Sequence, residues 1–220
     1  MVAVRATELR SGDRTGRFLK QVFLLSPARC DGRRAKILLS PKAEFELARR
    51  LSGEGAPLGE VFSFLSGLYF RGKLAYAHAF GPPMGDVPGA LVITTDRGLV
   101  RTDTIVTRDD LVAFACIDIA TGDDRYTVPL RRDIERLARS LGGDGRVVLL
   151  GSIATGKYVD LLLETFGTRL VFPSDFVGRG DMSRGGLLLR CVKDQRELAY
   201  EPVAGAIRHG KRPPKLEPMR

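Results

Sequence analysis

The sequence predicts an α/β fold: a single domain built on a mostly parallel or mixed central sheet, with helices on both faces. Three observations carry this. Short apolar runs recur at Val22–Leu25, "ALVITT" (90–95), "RVVLLG" (146–151) and "RLVFP" (169–173). They are continuous rather than alternating, as strands covered on both sides require. Segments with helical spacing separate them, and no repeat or linker divides the 220 residues.

In chain order, residues 1–19 read as a flexible basic arm, 20–207 as the α/β domain and 208–220 as a basic, Pro-rich, disordered tail. The first strand ends at Ser26-Pro27. "DGRRAK" (31–36) reads as a basic turn and "ILL" as a short apolar run. Ser40-Pro41 is expected to open a helix, with serine as N-cap and proline in the first turn. Its apolar face is Ala43, Leu47, Ala48 and Leu51, and Gly53 ends it. Phe62, Leu65, Tyr69, Leu74 and Ala77 have helical spacing that Gly67 and Gly72 should interrupt. "GPPMGDVPG" is a loop and "DRGLV" a turn. Residues 108–141 read as helical with a break near "ATGDDRYTVP". Leu130, Ile134, Leu137, Ala138 and Leu141 form an amphipathic stripe. A helix over 157–166 lies between the last two long runs, and "ELAYEPVAG" gives a final strand.

The net charge of +9 is uneven. Residues 1–50 carry 12 Lys/Arg against 5 Asp/Glu, residues 178–220 carry 10 against 5, and the middle carries 13 against 16. Termini that met in space would make a basic face suited to phosphate backbones; otherwise the charge is a solvated surface. No apolar run reaches the length of a membrane span, and the charged N-terminus has no apolar signal region. Cys30, Cys116 and Cys191 are far apart, form no C-x-x-C pair and have only two histidines for company. A zinc site is therefore not expected, and a reducing cytoplasm is. The sequence does not say which cofactor, if any, the protein uses.

"GSIATGK" (151–157) satisfies the G-x-x-x-x-G-K part of a phosphate loop. Tyr158, however, stands where a magnesium-binding Ser/Thr is needed, so ATP hydrolysis is not expected. Gly151, Ser152, Lys157 and Tyr158 read instead as a strand–helix turn at the carboxyl edge of the sheet, either structural or anion-holding. Ser26 to Cys30, Thr94 to Gly98 and the Gly-Arg segment 178–186 should emerge near the same edge. Within them, Ser26, Arg29, Arg179, Ser183 and Arg184 are candidate phosphate or nucleic-acid contacts, since Arg grips phosphate with a bidentate fork. Asp96 is a candidate general base. Arg29, Arg33 and Arg34 beside Cys30 would lower its thiol pKa and make it redox-active.

The order of these motifs resembles the YaaA-like peroxide-stress proteins. "LLSPAR" (24–29) is similar to their "ISPAK", "GRGDMSR" (178–184) to their "ARGLMSR", and "VVLLGSIATGKY" and "VFP" to their later strands. Arg29 stands where the family has Lys, the spacing is shorter, and their "YRLEM" stretch has no clear counterpart. The resemblance implies a mixed α/β fold, DNA binding and a role against oxidative damage. It brings forward Ser26, Arg29, Arg179, Met182 and Arg184. The strand order is also similar to glycosylase-type domains of base-modifying enzymes. Three functions stand open: a cytoplasmic nucleic-acid-binding protein, DNA before RNA; an enzyme with a nucleotide or nucleobase in a pocket formed by Ser26, Asp96, Lys157 and Arg179; or a plain partner-binding domain with no small-molecule site.

Overall fold

The computed structural model describes residues 20–119, 122–154, 156–214 and 216. The expected N-terminal arm, 1–19, lies outside the described residues.

The main sheet has six strands in the order β4-β3-β1-β6-β7-β8. Its center is parallel: β1 (Gln21–Leu25) pairs with β3 (Ala90–Ile93) on one side and β6 (Arg146–Leu150) on the other, and β6 pairs with β7 (Leu170–Pro173). Both edges are antiparallel, from β4 (Leu99–Arg101) and β8 (Tyr200–Pro202). A second, two-stranded sheet joins β2 (Ala56–Pro57) to β5 (Ile105–Val106).

The continuous apolar runs have the expected cause. Phe23, Leu25, Val148 and Leu150 face one core, and Val22, Leu24, Val147 and Leu149 face the other. The first core is closed by α1 (Arg33–Leu38), α2 (Glu46–Ser52), α3 (Leu58–Ser66), α4 (Leu68–Phe80), α5 (Arg108–Ala115) and α8 (Asp181–Lys193). The second is closed by α6 (Asp124–Leu141), through Leu130, Ile134, Leu137 and Leu141, and by α7 (Val159–Phe166). The chain is thus a three-layer, single-domain α/β fold.

Several local expectations are corrected. "DGRRAK" is not a turn, because most of it starts α1, which buries Ala35 and Leu38 and exposes its cations. Ser40-Pro41 does not open a helix. The Ser40 hydroxyl accepts from the Lys42 N–H (3.2 Å) and its carbonyl accepts from the Ala43 N–H (3.0 Å), closing a turn. Helix α2 waits until Glu46, after Phe45 has stacked on Phe64 (5.4 Å).

Gly67 does end α3, with φ of 65°. Gly72 does not interrupt α4 at all. A Cβ there would lie 2.7 Å from the Gly185 carbonyl oxygen, and one at Gly185 would lie 2.6 Å from that of Leu68. Both glycines are therefore contact points at which α4 and α8 meet backbone to backbone. The Gly-Arg segment, expected as a loop, is only partly one: from Asp181 onward it is the first turns of α8. Within the expected tail, 208–220, the Lys211 carbonyl lies against Gly178 and Gly210 against Val177, while 215 and 217–220 lie outside the described residues.

Candidate functional site

The sheet reverses its winding between β1 and β6. From β1 the chain crosses to β3 on one side, and from β6 it moves to β7 on the other. Open α/β sheets hold ligands outside the carboxyl ends of strands at such a point. Here a cavity of about 830 Å³ lies there. Its wall comes from Ser26 to Asp31 after β1, Thr95 after β3, Phe114 to Ile119 at and after the end of α5, Ser152, Lys157 and Tyr158 after β6, and Asp181 at the start of α8. Helix α4 completes it with Tyr69 and Lys73.

The floor is polar and tightly tied. Ser26 is buried, and its N–H donates to the Leu150 carbonyl (3.2 Å), prolonging the β1–β6 ladder by one residue. Lys73, 1% exposed, reaches it from α4. Its Nζ lies 2.6 Å from the Ser26 carbonyl oxygen and 2.9 Å from Ser26 Oγ. It stands 4.6 Å from the ring centers of both Tyr69 and Phe70. Burial disfavours the ammonium and lowers its pKa to about 7; Asp181 opposes this and Arg184 adds to it. Tyr158 is buried beside Ser26 and donates from its hydroxyl to the Ser152 carbonyl (3.0 Å). Burial raises the phenol pKa, and hydrogen bonds to Ser26 and Ser152 pull it back. A Cβ on Gly151 would sit 2.8 Å from both Ser26 Cβ and the Tyr158 hydroxyl, so glycine is what lets these groups converge.

The structure brings Ser26, Arg29, Ser152, Lys157 and Tyr158 to this one cavity. Beside Gly156 of the phosphate-loop-like segment stands the Asp160 carboxylate, a negative charge next to the loop. Arg29 is exposed and holds Asp31 in a two-point ion pair (2.7 and 3.0 Å).

Asp96 does not line the cavity; its neighbour Thr95 does. The Thr94–Gly98 segment is a hairpin turn. Thr94 Oγ1 donates to the Gly98 carbonyl (3.0 Å), and Thr95 Oγ1 donates to that of Phe114 (2.9 Å). The Asp96 carboxyl is raised by burial, with Arg97 opposing. Arg179 and Arg184 also stand off the lining. Arg184 points two donors at the Phe176 carbonyl (3.2 and 3.0 Å), stacks on the Phe176 ring and is 13% exposed. That is a structural clamp rather than a free phosphate grip. Arg179 donates to the Asp175 carbonyl (3.0 Å) and to Ser183 Oγ (3.2 Å). Cys30 is not activated by its basic neighbours. Burial, with Asp31 and Asp96 nearby, pushes its thiol up to about 12, and the thiol faces the Ala28 carbonyl (3.6 Å).

Lys73 is the residue that sequence reading missed. Its signal was its place on the inward stripe of α4, four residues after Tyr69 and four before Ala77, where a lysine is out of character.

No helix among the described residues is long and apolar enough to cross a membrane. Comparisons with family models, curated proteins and solved structures return no match.

Proposed function

We propose that the chain is an enzyme that takes a nucleotide or nucleobase in the cavity at the ends of β1 and β6. The observation that carries this reading is the convergence of segments distant in the chain on one cavity at the sheet's switch point. Its volume is in the range of small-molecule sites. Tyr69, Phe114 and Tyr158 offer rings against which a base can pack, and the exposed Lys157 amine offers a phosphate contact.

The test is calorimetry with a panel of bases, nucleosides and nucleotides, on wild type and Lys157→Ala. Expected is binding of at least one member, with the variant losing roughly tenfold for phosphorylated ligands and nothing for unphosphorylated ones. A panel that does not bind, or equal losses for both kinds, overturns it.

A second reading, binding of DNA through a basic surface with a role against oxidative damage, is favoured by the packing of the C-terminal stretch. The Lys211 backbone lies against Gly178, next in the chain to Arg179, which brings this part of the basic tail to the Gly-Arg segment. Affinity for labelled duplex and single strands across a salt series tests it. Replacing Arg179, Lys211 and Arg212 with alanine should flatten the salt slope by about one unit per lost phosphate contact. An unchanged slope removes this surface. The separate, unpaired thiols among the described residues suit a reducing cytoplasm for either reading.

A further inference from the structure

Lys73 is the only charged side chain that is buried among the described residues. No carboxylate among them lies within ion-pair distance of it; its near partners are the two oxygens of Ser26 and two ring faces. An amine held this way is costly unless it loses its charge. Its position is also fixed. Nζ reaches the Ser26 carbonyl and Ser26 Oγ together, between the rings of Tyr69 and Phe70, so when the amine is neutral its lone pair can turn to the hydroxyl 2.9 Å away.

We infer that Ser26 and Lys73 form a nucleophile–base pair acting on a carboxylic ester or amide held in the cavity. This rests on the cavity being an active site, as proposed above, and adds the reaction it performs. The hydroxyl and amine are within hydrogen-bond reach, as an activated serine requires. Both residues line the cavity, and Ser26 is the more exposed, at 8%. The hydroxyl therefore meets the substrate and the amine stands behind it as general base. With Lys73 neutral, the hydrogen-bond partners of Ser26 Oγ, the amine and the Tyr158 phenol, carry no full charge, while Asp181 and Arg184 act on them from α8 with opposite signs. That environment suits an uncharged carbonyl better than a phosphate.

The steps balance. The neutral amine takes the Ser26 hydroxyl proton as Oγ bonds to the acyl carbon and the carbonyl electron pair moves to its oxygen. The pair returns, the bond to the alcohol or amine breaks, and that leaving group takes the proton from Nζ. Water then adds to the acyl-serine, giving its proton to Nζ. The C–Oγ bond breaks, and Oγ recovers the proton. The net reaction is hydrolysis.

The groups that bear on Lys73 are the Tyr69 and Phe70 rings on its own helix and Asp181 and Arg184 on α8; Tyr158 after β6 and Cys30 after β1 line the same cavity. Burial raises both phenols and the thiol, so none of those three takes over the proton near neutrality. Asp181 favours the ammonium and Arg184 disfavours it.

The test uses the full chain and a fluorophosphonate probe, read by intact mass and peptide mapping from pH 5.5 to 9. Expected is one adduct, on Ser26, whose rate climbs about tenfold per pH unit and levels off near pH 7. Ser26→Ala should take no label. Lys73→Met, which replaces the amine with an apolar chain of similar length, should slow labelling by about 100-fold or more, with its melting temperature at or above that of wild type. An unlabelled Ser26, labelling without a plateau, or a Lys73→Met variant that labels at the wild-type rate overturns the pair. In each of those cases Lys73 would only tie α4 to the end of β1. Nucleotide binding to wild type is a separate readout, so the pocket's ligand and its chemistry can fail independently.

Discussion

Gly72 on α4 and Gly185 on α8 touch through their backbones. A Cβ on Gly72 would lie 2.7 Å from the Gly185 carbonyl oxygen and 3.0 Å from its Cα. This crossing is what encloses Lys73, the next residue along α4. With a larger side chain the helices would separate, and water would reach the amine. Gly72→Ala and Gly185→Ala should each cost about 1–3 kcal/mol in denaturant unfolding, the usual penalty of overpacking. Near-wild-type stability for both would show that the helices can part freely.

The buried amine makes stability depend on pH. In the folded chain burial lowers its pKa to about 7, against an ordinary lysine value of 10.5. Between those values the unfolded chain binds the extra proton, so stability rises with pH from about 7 to about 10.5. Below pH 7 the full penalty remains, roughly 3–5 kcal/mol at most at 1.36 kcal/mol per pKa unit. Lys73→Met should remove the slope and raise stability most at neutral and acidic pH. Urea titrations at pH 6, 8 and 10 on both proteins measure this. A slope that persists in the variant would assign it to another group.

The two arginines of the Gly-Arg segment should behave differently. Arg184→Ala strips the Phe176 carbonyl of two donors and the ring of its stacking partner. A loss of about 1–3 kcal/mol is expected. Arg179→Ala removes two part-exposed hydrogen bonds and should change stability by less than about 1 kcal/mol. The melting temperatures of the two variants decide this, and equal losses would contradict it.

Thiol reactivity should follow burial rather than neighbouring charge. Cys116 is exposed, whereas Cys30 and Cys191 are buried, and burial raises the thiol pKa of both. Alkylation of the native protein at pH 8 should modify Cys116 first and leave the other two until denaturant is added. Early modification of Cys30, seen by peptide mapping, would show the loop after β1 to be open.

The sequence by itself determined the layered α/β fold. A strand covered on both faces must be apolar at every position, and Val22–Leu25, Val147–Leu150 and Leu170–Pro173 are such runs. The stripe Leu130, Ile134, Leu137 and Leu141 likewise faces the core it implied. It also placed Ser26 and Ser152 at the carboxyl ends of two strands, because loops after parallel strands emerge on one side. What it misplaced were elements settled by distant partners. Gly72 reads as a helix breaker until α8 lies against it, and the cationic start of α1 reads as a turn until Ala35 and Leu38 find a core. Arg184 reads as a phosphate ligand until the Phe176 carbonyl claims it. Only the tertiary structure decided that Lys73 reaches Ser26, 47 residues away in the chain. Local periodicity fixes which side of a helix turns inward, but the partner it meets there depends on how the helices cross.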